Sequence, residues 1–373
     1  MTVTETETKG EDLDFAQEVR GAWAYWLRVP LKVPYENALC RLESFDVMVI
    51  KLVDGEGRVG WGEACPVTGY SPESPAQAWR WISKKLSGIV GASPKALREL
   101  LDVSMAQYPF VVSAIYEGLA DLARSPLLHR DAPSAVRLLG TVNTLDKRAA
   151  PDVARQLLER GYTTLKVKVG YDPREDAERV CRIAEAVEGK ARLRMDANQG
   201  YSLADAIDFA QRVPADAVEV FEQPVPADRW DQLKTIGRLK LLPLMLDESI
   251  YDDSDIRRAA TLDGVAAVKL KMSKSGGPQG LADQVSLCRS LGLDVVVGNG
   301  VASDLGCFHE AVCFGQLGLD TAAEMNGFLK TTNSLLNTPL SMHQDRLELP
   351  SPRTVAVDQR QLDTLAIDTR EFS

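Results

Sequence analysis

From about residue 138 onward the chain alternates between short β-like runs and amphipathic helical patterns, one pair about every 25 residues. The runs fall at 138–142, 164–169, 192–196, 218–222, 244–247, 265–271, 294–298 and 321–324. Helical patterns at 149–160, 176–187 and 203–212 lie between them. Eight strands alternating with helices argue for a parallel (β/α) barrel. A doubly wound open sheet is the alternative. Its dinucleotide-binding form is disfavoured because the early strand-to-helix turns lack a Gly-x-Gly-x-x-Gly pattern.

The first third reads differently, as α+β. Residues 22–29 and 45–53 are rich in the β-branched and aromatic residues of strands. Asp54-Gly55-Glu56-Gly57 is a turn signal, and 58–64 returns as a partner strand. Helices are expected over 74–86, 94–101 and 110–122, the last with Val111, Ala114, Ile115, Gly118, Leu119 and Leu122 at helical spacing. A chain of 373 residues has room for two such domains, here 1–135 and 136–340, with 1–15 as a loose polar tail.

The net charge of −10 argues against a nucleic-acid partner. It does not exclude an anionic substrate, since a metal ion or a few lysines reverse the sign inside a pocket. Cys40, Cys65, Cys181, Cys288, Cys307 and Cys313 are scattered and form no Cys-x-x-Cys pair, the usage of a reduced cytoplasm. The acidic N-terminus has no signal-peptide character, and no run approaches the roughly 20 apolar residues of a membrane span. A cytoplasmic location with no membrane partner is expected.

Acidic residues end three consecutive strands: Asp196, Glu222 and Asp247, spaced 26 and 25 residues apart. In a barrel this register sets three carboxylates side by side at the active-site mouth. One such acid alone suits a solvated strand end or a helix N-cap. Three together would repel and desolvate badly, and a hard divalent cation relieves this, Mg²⁺ suiting all-oxygen ligation. Lysines flank the acids. Lys166 and Lys168 alternate on one face of the second strand, and Lys269 and Lys271 lie on the sixth, roughly opposite. Two ammonium groups on one buried face are expected to lower each other's pKa, which suits a base near neutral pH. Plain salt bridges to the acids are the structural alternative.

These segments resemble the enolase superfamily and, within it, the muconate-lactonizing subgroup. The resemblance rests on KVKVG (Lys166, Lys168), MDAN (Asp196), FEQP (Glu222), LDES (Asp247, Glu248) and VKLKMSKSGG (Lys271). GWGEACP and SAIYEGLADLA extend it into the first domain. A lysine or histidine base with Mg²⁺ is the superfamily's known solution, so that combination is part of what the resemblance implies. It implies a modified TIM barrel with an N-terminal α+β capping domain, and a C-terminal segment, 341–373, that returns to the cap. It implies Lys168 and Lys271 as acid/base catalysts, Lys166 as their assistant, and Asp196, Glu222 and Asp247 as Mg²⁺ ligands. A homo-oligomer is implied as well.

Abstraction of the α-proton of a small-molecule carboxylate, through an enolate, is therefore expected. Racemisation or epimerisation of an amino-acid-type carboxylate leads. Muconate-like cycloisomerisation or β-elimination of water follows, and a non-catalytic binding protein is remote. The seventh strand ends Val297-Gly298-Asn299-Gly300 without the His of mandelate-racemase types, and His309 reads as structural. The eighth strand carries a single Glu324 rather than the Asp-x-Asp of dipeptide epimerases, which weakens that activity. Asn198, Asn299, Glu324 and Tyr70 are candidate substrate contacts, with the cap loops at 30–35 and 68–71 as candidate specificity loops.

Overall fold

The computed structural model describes residues 18–36, 41–129 and 135–373. The tail expected over 1–15 and Cys40 lie outside the described residues. In the first domain, strands β1 (Val19–Glu36), β2 (Arg41–Asp54) and β3 (Val59–Ala64) pair antiparallel. The β2–β3 turn closes on Asp54, whose carboxylate accepts from the backbone N–H groups of Glu56 and Arg58 at 2.9 Å. The helix Pro109–Leu122 lies against β3 with nearly every residue buried. Glycine permits this approach, because a Cβ at Gly62 would stand 1.8 Å from the Ala114 carbonyl oxygen. The long β1 includes the expected 30–35 loop, and Leu31 bridges Thr331 on the barrel side.

After a short β4 (Ala135–Arg137) come seven parallel strands: β5 (Gly140–Val142), β6 (Thr164–Lys168), β7 (Arg192–Asp196), β8 (Val218–Glu222), β9 (Leu244–Leu246), β10 (Val265–Leu270) and β11 (Asp294–Val297). They pair in chain order. Four of the helices that follow these strands begin at side-chain caps. Asp172, Ser202, Asp252 and Ser303 each accept a backbone N–H of the first turn. Val, Leu and Met side chains of the strands fill the core with the inward faces of the helices.

The expected eighth strand at 321–324 is not a strand. The segment makes single backbone bonds to each side: Glu324 N–H to Val297 O at 3.1 Å, Ala323 N–H to Arg137 O at 2.8 Å, and Leu139 N–H to Ala323 O at 3.0 Å. It closes the barrel through these isolated bonds rather than a ladder. Buried Arg194 donates at 2.6 Å to Ala322 O. Beyond the barrel, β12 (Ser341–His343) and β13 (Arg346–Glu348) join β4, and β14 (Ala366–Phe372) pairs antiparallel with β1. Among the described residues no helix is long and apolar enough to cross a membrane.

Candidate active site

The C-terminal strand ends carry the charged residues because parallel register puts equivalent positions level. Lys168 pairs with Asp196, and Asp196 with Glu222, across adjoining strands. Asp247 follows β9, and Lys271 follows β10. Lys166, Asp196, Glu222, Asp247, Lys269 and Lys271 are all 3% exposed or less. Six charges at that depth must neutralise one another, and they do.

The Lys166 ammonium lies 2.8 Å from Asp196, 3.2 Å from Glu222 and 2.7 Å from Glu324. Lys269 bridges Glu222, at 3.0 Å, to Glu324. Lys168 donates at 2.6 Å to both Asp196 and Asn198. Lys271 donates at 2.7 Å to each oxygen of Asp247 and also meets the Tyr70 hydroxyl. Lys274 donates to the Asp247 backbone carbonyl at 3.1 Å. Asn198 holds Glu248 at 3.2 Å, while the second oxygen of Glu248 is buried with no partner among the described residues.

These contacts correct one expectation. Lys166 does act to lower Lys168, yet neither lysine ends below its ordinary pKa. Burial pulls both down, but the Asp196 carboxylate between them prevails, and both stand above the ordinary lysine value. Lys271 goes the other way. Burial, then the neighbouring Lys274 ammonium, carries it well below the ordinary value, against the opposing charges of Glu324 and Glu310. Burial and then the Asp247 and Asp196 charges push Glu248 up to about 8.

Among the described residues no group of three or more Asp, Glu, His or Cys side chains is disposed to hold a metal ion, because ammonium groups stand between the carboxylates. The donor chemistry nevertheless fits a hard divalent cation: the candidate donor atoms are carboxylate oxygens, on three adjoining strand ends. The Glu248 oxygen left without a partner, and Glu222, raised by burial and then by the Asp196 charge, are the points where a cation would be favoured.

A narrow cleft opens above these groups. Tyr35, Val67 and Tyr70 of the first domain line it with Lys168, Lys271, Asn198, Asn299, Gly300 and Glu324 of the barrel. All ten sequence-selected site residues thus lie in or beside one region; Glu222 contacts the lysines from below the cavity. Glu324 is committed to Lys166 and Lys269. Asn299 turns its side chain to the Val301 N–H at 3.1 Å. Sequence reasoning passed over Lys269 as a site residue, although its alternation with Lys271 is the same signal that paired Lys166 with Lys168. Lys274 and Lys330 carried no periodic signal. His309 ties the domains together, its Nδ1 2.6 Å from Glu117.

Comparison with known proteins fits this geometry. The family model described as enolase C-terminal domain-like matches residues 149–353. L-Ala-D/L-Glu epimerase of Bacillus subtilis is 30% identical over 297 residues, 75% of this chain and 80% of that one. Among solved structures, N-succinyl Arg/Lys racemase from Bacillus cereus superposes with a TM-score of 0.87 at 21% identity, covering 95% of this chain and 100% of that one. A dipeptide epimerase from Cytophaga hutchinsonii, complexed with Mg and a dipeptide, gives 0.85 at 22% identity, covering 95% and 100%. With the family match spanning more than half of its residues, and the barrel and strand-end charges expected of that fold, this chain belongs to the enolase C-terminal domain-like family.

Proposed function

We propose that this chain moves the α-proton of a small amino-acid-type carboxylate, racemising or epimerising it between Lys168 and Lys271. One observation carries the reading. Both lysines line a single cavity, from strands four places apart in the sheet, and the three strands between them bear Asp196, Glu222 and Asp247. A carbon held above those carboxylates presents one face to each lysine. Lys271, lowered by burial, is suited to accept a proton, and Lys168, raised by Asp196, to donate one. The reverse direction exchanges their roles.

Asp196, Glu222 and Asp247 would hold Mg²⁺. Bound there, the ion supplies positive charge opposite the negative charge that develops on the substrate carboxylate. Lys166 adds fixed positive charge beside Asp196 and Glu222, and Tyr70 orients Lys271. The epimerase and racemase relatives support this reading, and the magnesium of the Cytophaga structure supports the ion. The test is NMR in D₂O with magnesium, over a panel of N-acyl amino acids and dipeptides. Deuterium entering the α-position with inversion is the expected result. Product formation without inversion would favour the cycloisomerase or β-elimination alternative, and no exchange with any carboxylate would sink the proposal.

A further inference from the structure

Among the described residues, Lys330 is the ammonium at this site with no carboxylate in ion-pairing distance. It follows the short helix Gly327–Leu329 and comes from no barrel strand. It donates to neutral acceptors, the Gly300 carbonyl and Asn326 Oδ1, the latter at 3.0 Å. Its ammonium sits 4.9 Å from the centre of the Tyr35 ring. Tyr35 and Gly300 both line the cavity. A Cβ at Gly300 would stand 3.1 Å from the Lys330 ammonium and 3.3 Å from Glu324 Oε1, so the glycine leaves room between the cation and the cavity.

The other lysines here are spoken for. Lys166, Lys168, Lys269 and Lys271 each touch a carboxylate at 3.0 Å or closer. A half-buried ammonium with only neutral partners costs free energy unless a ligand supplies the charge. Loss of water brings Lys330 down to about 8, partly offset by Glu324, which leaves it largely protonated at neutral pH.

We infer that Lys330, with Tyr35 and the open flank at Gly300, forms a second anion subsite that selects substrates carrying a carboxylate remote from the reacting carbon. The inference rests on the proposed function for its substrate class. That remote carboxylate has two sources: the end of a dicarboxylic N-acyl arm, or an acidic side chain in a dipeptide. A purely structural Lys330, pinning Gly300 and Asn326, would serve charged and neutral ligands alike.

Matched ligand pairs separate these cases. Binding is measured by calorimetry with magnesium present, using N-succinyl-L-alanine against N-butanoyl-L-alanine, and L-Ala-L-Glu against L-Ala-L-Gln. The wild-type protein is expected to prefer the charged member of at least one pair by about tenfold or more, as a charge-assisted hydrogen bond provides. The pair showing the preference identifies the source. Lys330→Gln should abolish the preference while leaving the neutral member's affinity unchanged, and Lys330→Arg should retain much of it. No preference in either pair, or equal weakening of both members in Lys330→Gln, overturns the inference. Binding discrimination without α-proton exchange would leave the subsite standing and remove the proposed reaction. Exchange without discrimination would do the reverse.

Discussion

The Lys271 ammonium lies 2.7 Å from each carboxylate oxygen of Asp247. The lysine proposed as a base therefore rests on the carboxylate proposed as a metal ligand, and Tyr70 touches the same ammonium from the first domain. The proposed site is therefore built from residues of both domains.

If two lysines share the proton, Lys168→Ala and Lys271→Ala should each lower racemisation by about 100- to 10,000-fold, the usual weight of a positioned acid or base. Each variant should still exchange the α-proton of the enantiomer facing its surviving lysine. NMR of single enantiomers in D₂O reads both effects. Loss in Lys168→Ala alone would point to one-base chemistry and so to the cycloisomerase or elimination reading. Full turnover in both variants would remove these residues from the mechanism.

Magnesium should raise the melting temperature and chelator should abolish turnover, because a ligand bound only by the folded site stabilises it by about 2.7 kcal/mol at a hundredfold excess over Kd. Glu222→Gln should weaken magnesium binding at least about tenfold without unfolding the protein. Calorimetric titration with circular dichroism as the fold control checks this; unchanged affinity would exclude Glu222 as a ligand.

Where the two domains meet, stability should fall as pH rises from about 5 to about 8. Burial holds Glu63 and Glu310 at about 7 against an ordinary 4.5, so the folded protein keeps protons that the unfolded chain has released. Their contribution is complete below the ordinary value and lost as pH passes through the raised one. His309 has the same sign. Burial lowers it, but the Glu117 hydrogen bond and charge raise it further, so its contribution is full below 6.5 and lost as pH rises through its raised folded value. Urea melts across this range test the slope, and Glu63→Gln should flatten it. A flat wild-type profile would contradict the burial argument.

Gly62→Ala should destabilise by about 3 kcal/mol or more, because the new methyl group meets the rigid backbone of the helix Pro109–Leu122. Gly57→Ala, at a turn position with open space but a positive φ of 77°, should cost only about 1 kcal/mol. Chemical denaturation of both variants compares packing with backbone strain; equal losses would mean that the β3–helix contact is looser than described.

The strand ends were legible from sequence because a regular strand–helix unit brings each strand's C-terminus to the same rim. The spacing of Asp196, Glu222 and Asp247, and the alternation of Lys166 with Lys168, were therefore enough to bring them together. The family resemblance came from the same local motifs. Tertiary structure decided the rest. Which carboxylate each ammonium meets depends on side chains from strands far apart in the chain, and Asp196 raises two lysines expected to be lowered. The segment at 321–324 has strand-like composition, yet closes the barrel by single bonds set by its neighbours on both sides. Lys330, Tyr35 and Gly300 have no shared period or motif. Their meeting is decided by the packing of β1 against the turn after Glu324, a contact spanning almost 300 residues of chain that no local pattern encodes.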